Sequence, residues 1–105
     1  MTLNLGPRPP GDPDGMRALA RVYFQAADDM QTHAAGARRQ DLGFTGPAAK
    51  RIAARVTHWL ADVDRDAEGL RGVARRLVQE AGGVEQSQHR YDKAVARELL
   101  ADKPR

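Results

Sequence analysis

Apolar residues return along this chain at alternating steps of three and four, and they do so in two long runs. Met16, Leu19, Tyr23, Ala26, Met30, His33 and Ala37 form the first, with Val22 and Ala27 widening it and Arg17, Arg21, Asp28 and Arg38 outside it. That spacing is one face of an amphipathic helix. Its start is marked by Asp12 as a cap, Pro13 at the first helical position and Asp14 at the positive helix end, although Gly15 weakens the first turn. The pattern predicts a helix over about 12–41. The second run reads Ala49, Ile52, Val56, Trp59, Val63, Ala67, Leu70, Ala74, Leu77 and Ala81, with Leu60, Val73 and Val78 beside it. It predicts a helix over about 47–82.

Between the runs, Leu42-Gly43-Phe44-Thr45-Gly46-Pro47 breaks the rhythm. The glycines permit positive φ, Thr45 or Gly46 can cap, and Pro47 opens the next helix. A connection of about 42–46 joins antiparallel neighbours. The fold class expected is therefore all-α, an antiparallel two-helix hairpin. Residues 1–11 carry prolines and glycines without periodicity and read as a flexible arm. At the other end, Gly82-Gly83 interrupts good helix formers, yet Val84, Gln88, Tyr91 and Val95 resume in phase. Residues 83–105 are thus either a helical extension or a separate tail. The balance favours a stop, because two adjacent interior glycines cost about 2 kcal/mol relative to alanine. No internal repeat is evident.

Composition changes this picture in one respect. Of 105 residues, 41% are hydrophobic, but eighteen of those are alanine. Alanine favours helix and buries little area, so the hairpin has a thin core for its length. Small chains of that kind usually rely on a partner or a staple, and the absence of cysteine excludes a disulfide. Val22, Phe24, Leu60, Val73 and Val78 lie off the two narrow seams. They imply a second apolar face and a four-helix bundle formed by dimerisation, with scattered surface apolar residues as the alternative. The interface expected comprises Met16, Leu19, Tyr23, Phe24, Met30, Ile52, Val56, Trp59, Leu60, Val63, Leu70 and Leu77.

The 17 basic and 14 acidic residues leave a net charge of +3. Arg38, Arg39, Lys50, Arg51 and Arg55 fall near the hairpin tip, opposed only by Asp41. They make either a basic docking tip or ordinary solubilising charge. Nucleic acid is disfavoured, since only Phe44 is nearby for stacking and the total charge is small. His33, His58 and His89 lack metal-ligand spacing, and Asp62, Asp64, Asp66 and Glu68 spread around a helix. No catalytic, cofactor-binding or metal-ligating set emerges, so no enzyme and no cofactor are expected. No apolar run approaches a membrane span, and no cleaved signal peptide is expected.

The tripeptide Phe44-Thr45-Gly46, set between two capped amphipathic helices in a chain of this length, resembles the turn of the Trp-X-Gly family. These are the ESAT-like proteins exported by type VII secretion systems. The resemblance covers about 12–82, with Phe44 standing where the family has tryptophan. It implies a non-enzymatic hairpin that pairs as a homodimer or heterodimer with another small helical protein. Such a protein is a secretion substrate or its partner and chaperone, and it meets type VII secretion components. Localisation would be secreted or at the cell surface, and cytoplasmic before export. Tyr91 stands in the region of the family's export signal in degenerate form, because its +4 position is Val95 while Asp92 and Glu98 are out of register. The alternative is a cytosolic basic helical adaptor or nucleic-acid-binding protein.

Overall fold

The computed structural model describes residues 5–39 and 45–101. Two helices, α1 (Pro13–Arg39) and α2 (Pro47–Ala101), pack against each other antiparallel. The chain is all-α, as its spacing predicts. It is a rod of 91 × 16 × 12 Å with a radius of gyration of 25.1 Å. A compact chain of this length would have about 13 Å.

Helix α1 begins where its sequence provides a cap. The Asp12 carboxylate accepts the Gly15 N–H at 3.0 Å, while the Asp12 carbonyl accepts the Met16 N–H at 2.9 Å. A Cβ on residue 15 would collide with that carboxylate, so the glycine makes room for the cap. Helix α2 opens at Pro47, preceded by Gly46 at φ 93°, whose carbonyl accepts the Lys50 N–H at 3.2 Å. Proline at the first position lacks only a donor that the helix leaves unused.

The helices meet along alanine. The buried residues of α1 are Ala20, Ala27 and Ala34, and those of α2 are Leu60, Ala67, Ala74, Ala81 and Gln88. Each series advances by seven, the period that keeps one line of side chains on the seam of a two-stranded coil. The cross-helix polar contacts fix the register: Arg17 with Glu85, Gln31 with Arg71 and Arg38 with Asp64. Each step forward on α1 matches an equal step back on α2. Ala20, Ala27 and Ala34 therefore lie level with Ala81, Ala74 and Ala67. Small side chains at every contact level let the two backbones approach closely. Among the described residues no large side chain is fully buried.

The α1 seam thus runs one residue away from the expected line. Leu19 and His33 are exposed, and Ala20 and Ala34 take the buried positions. On α2 the same exchange occurs once, where Leu60 is buried and Trp59 is exposed.

Helix α2 also runs unbroken through Gly82-Gly83, where the sequence favours a stop, to Ala101. Neither glycine has a positive φ. Continuing the helix keeps the later turns in contact with the rest of the chain, which offsets the glycine cost. Glu85 pairs with Arg17 at 2.6 Å. Gln88 lies level with Pro13, where α1 begins, and its amide donates to the Pro9 and Gly11 carbonyls at 3.1 and 3.0 Å. The Tyr91 hydroxyl donates to the Gly6 carbonyl at 2.9 Å, and Arg8 grips Asp92 at 3.1 and 3.2 Å. Residues 6–11, without helical pattern, thus lie along α2 where α1 no longer covers it. Gly11, at φ 133°, sits so close to Val84 that a Cβ there would clash.

Two substitutions test these contacts. Ala74→Leu should destabilise the hairpin by about 1–3 kcal/mol, through overpacking of a site with no room, as read by urea unfolding followed by circular dichroism. Gln88→Leu should release the arm at a cost of about 2 kcal/mol, two neutral hydrogen bonds. Limited proteolysis would then cut before residue 12 much faster than in the parent chain, with helicity nearly unchanged.

Candidate interaction surface

The alanine seam divides the hairpin into two unlike sides. The first holds the residues three before each seam position. On α1 these are Arg17, Phe24, Gln31 and Arg38, and on α2 they are Asp64, Arg71, Val78 and Glu85. Arg38 meets Asp64 at 2.7 Å, and Arg17 meets Glu85 at 2.6 Å. Arg71 donates to Gln31 at 2.6 Å and to Asp28 at 2.8 Å, with its side chain only 20% exposed. Phe24, half-buried, and Val78, 46% exposed, occupy the remaining rung. This side is clasped by polar contacts within the chain at its other rungs.

The opposite side holds the residues one before and three after each seam position, and it is apolar. Met16, Tyr23 and Met30 on α1, with Val63, Leu70 and Leu77 on α2, are half-buried against the opposite helix, and Val56 is half-buried nearer the tip. Flanking them, Leu19 is 42% exposed, Ile52 40%, Trp59 52% and Val73 47%. Val22, one column further out, is exposed as well. Met30, His33, Val63 and Trp59 border a groove of about 340 Å³ with Asp29 at its edge. Most of the larger apolar residues along the paired stretch thus share this face, which Asp66 and Glu80 interrupt.

Of the twelve interface residues read from the sequence, ten lie on this face. Phe24 is on the clasped side and Leu60 is in the seam, where it packs within the hairpin. Val22 and Val73, read as implying a second apolar face but left out of the interface set, belong to the face. A seven-residue count from Ala20 or Ala67 would have assigned all four.

The tip is less uniform in charge than its composition suggests. Arg38 is held by Asp64, whereas Lys50, Arg51 and Arg55 are exposed and make no ion pair with another described residue. Arg39 ends α1. Thr45 is exposed and Gly46 adopts the left-handed conformation a turn requires, while Phe44 and Asp41 lie outside the described residues. Tyr91 is half-buried and engaged by the arm. The His33 ring bonds the Asp29 carbonyl of its own helix at 2.8 Å, and His58 and His89 are exposed. Among the described residues no group of three metal-ligating side chains converges, and no helix is long and apolar enough to cross a membrane.

Among the described residues, ion pairing engages Asp14, Asp28, Asp62, Asp64, Glu68, Glu85 and Asp92. Hydrogen bonds from Arg17, Arg75 and Arg8 hold Glu85, Glu68 and Asp92, respectively, below the ordinary carboxylate range. No family model matches the chain, and neither a curated protein nor a solved structure shows significant similarity to it.

The pH dependence follows from these three carboxylates. Their pKa values are lower folded than unfolded, so their stabilisation is complete above the unfolded values and is lost as pH falls through the folded ones. The melting temperature should be level from about pH 8 to pH 5 and fall below about pH 4. Thermal melts in a pH series check this, and added salt should shrink the effect.

Proposed function

We propose that this chain is a pairing module: a non-enzymatic helical hairpin that forms one half of a four-helix bundle with a second small helical hairpin. The observation that carries the reading is the apolar face opposite the ion-pair clasp. Its inner rows, Met16, Tyr23 and Met30 with Val63, Leu70 and Leu77, are only half-covered by the chain itself. The accessible surface of 8368 Å² points the same way. A compact monomer of 11.5 kDa would expose about 5,800 Å². The excess is of the order that obligate helical dimers cover.

Length, hairpin form and a glycine turn entered by Pro47 support a role of the Trp-X-Gly type. On that reading the protein is a type VII secretion substrate, or the partner and chaperone of one, exported without a cleaved signal peptide. Pairing through the apolar face is its mechanism, and the tip residues Thr45, Lys50 and Arg51 are offered to the export machinery.

Leu19 and Val73 are exposed, so their replacement leaves the hairpin seam untouched. The double variant Leu19→Glu/Val73→Glu should retain its helicity yet weaken pairing by about a hundredfold or more, the scale of interface hot spots. Light scattering, alone and in mixture with the product of any neighbouring small gene, reads the outcome. A parent chain that stays monomeric in both settings rules out the pairing reading. Steeply salt-dependent DNA binding lost with Lys50, Arg51 and Arg55 would instead identify a nucleic-acid adaptor.

A further inference from the structure

We propose that α2 around Gln88, Tyr91 and Asp92 is a recognition site for an extended proline-arginine segment, and that residues 6–11 are its resident, detachable ligand. The site lies where α1 no longer covers α2, so the proposal does not depend on the pairing reading. The observation is the direction and chemistry of the contacts between the arm and α2.

Among the described residues, every hydrogen bond between α2 and the arm backbone runs one way. The Gln88 amide, buried at its seam position, donates to the carbonyls of Pro9 and Gly11 at 3.1 and 3.0 Å. The Tyr91 hydroxyl donates to that of Gly6 at 2.9 Å. Helix α2 asks for carbonyls and for no N–H. Three of the six arm residues, Pro7, Pro9 and Pro10, have no N–H to offer. A segment of this composition is already extended, with its carbonyls free of internal hydrogen bonds, and it loses little conformational freedom on binding. Arg8 adds a second requirement. It presents Nε and Nη2 to the two carboxylate oxygens of Asp92 at 3.1 and 3.2 Å, a fork that fits a guanidinium and not an ammonium. At Gly11 the approach to Val84 leaves no room for a side chain. The site thus reads Pro-Arg-Pro-Pro-Gly as a unit.

The attachment is reversible in its construction. Of residues 6–11 only Pro9 is half-buried, and the others are exposed. The Arg8–Asp92 pair is exposed on both sides, and such pairs hold weakly. A groove of about 620 Å³ stays open between the two prolines, Pro9 and Pro10, and the α2 residues Gly83, Ser87 and Arg90, so the arm can lift off without either helix moving. Its departure leaves the Gln88 amide short of acceptors. That favours return of the arm or capture of an equivalent segment from another protein. The tethered arm shields the site meanwhile, competing at an effective concentration on the order of millimolar.

The test frees the arm and leaves the site intact. Gly11→Val sets a branched side chain at φ 133° against Val84, and Arg8→Asp breaks the fork. In each full-length variant the order parameter of the Gly6 amide, read by NMR relaxation, should fall below about 0.6. A fluorescent peptide of residues 5–11 should then bind either variant about tenfold or more tighter than it binds the parent, as read by anisotropy. Adding Gln88→Leu to Gly11→Val should abolish that binding. Adding Asp92→Arg instead should transfer preference to a peptide carrying Arg8→Asp. An arm that neither change frees overturns the proposal. So does a freed site that takes no peptide at about millimolar concentration, or one that binds the peptide equally with and without its arginine. None of these outcomes bears on pairing through the apolar face.

Discussion

The close packing of alanine against alanine along the seam is the constraint on which the rest of the molecule depends. At Ala20, Ala27 and Ala34 on α1, and at Ala67, Ala74 and Ala81 on α2, nothing larger fits between backbones brought this near. The larger apolar side chains are consequently displaced to the edges. Each of Met16, Tyr23, Met30, Leu70 and Leu77 touches the opposite helix with one flank and leaves the other uncovered. A wider hairpin with leucine in the seam would bury more area within the chain and offer less outside it. The narrow seam is thus what creates the apolar face.

A seam with so little area also needs help in choosing its register, since one alanine row fits another at several offsets. The polar contacts supply it. The ion pairs Arg17–Glu85 and Arg38–Asp64 and the Gln31–Arg71 hydrogen bond stand on one side at multiples of seven residues, and a slip of one heptad would break the ladder or set like charges together. Exposed pairs of this kind add little stability individually. Their role is selection among otherwise similar alignments. Placing them all on one side has a second effect: the apolar face stays free of basic groups at its centre, and unpaired arginines collect at its α2 rim.

Much of this was legible in the sequence, and the exceptions share a cause. Spacing located both helices, the Asp12 cap, the Gly46-Pro47 entry and the α2 seam from Val63 to Ala81. It misplaced the α1 seam by one residue because size guided the choice: Leu19 and His33 were preferred to Ala20 and Ala34. In a seam built on close approach the small residue is the buried one. The same preference chose Trp59 over Leu60. Local propensity misjudged Gly82-Gly83, since the contacts that hold those turns helical come from residues more than sixty positions away, in Arg17 and the arm. The arm itself carries no periodicity. Its attachment depends on backbone carbonyls meeting Gln88 and Tyr91, and carbonyls leave no mark in a sequence.

Fold and proposed function draw on the same side chains, and this ties one to the other thermodynamically. A half-covered residue such as Leu70 or Tyr23 stabilises the hairpin with one flank and a partner complex with the other. Whatever binds the folded hairpin and not the unfolded chain raises its stability by mass action. Because the seam is alanine, that contribution is a large share of the total rather than an addition to a stable core. The same reasoning explains why the arm covers α2 from Gln88 onward. There α1 has ended, no second helix of the chain is present, and the buried Gln88 amide at a seam position would otherwise lack an acceptor. The arm closes the end of the hairpin on its own, and the apolar face is the part the chain leaves uncovered.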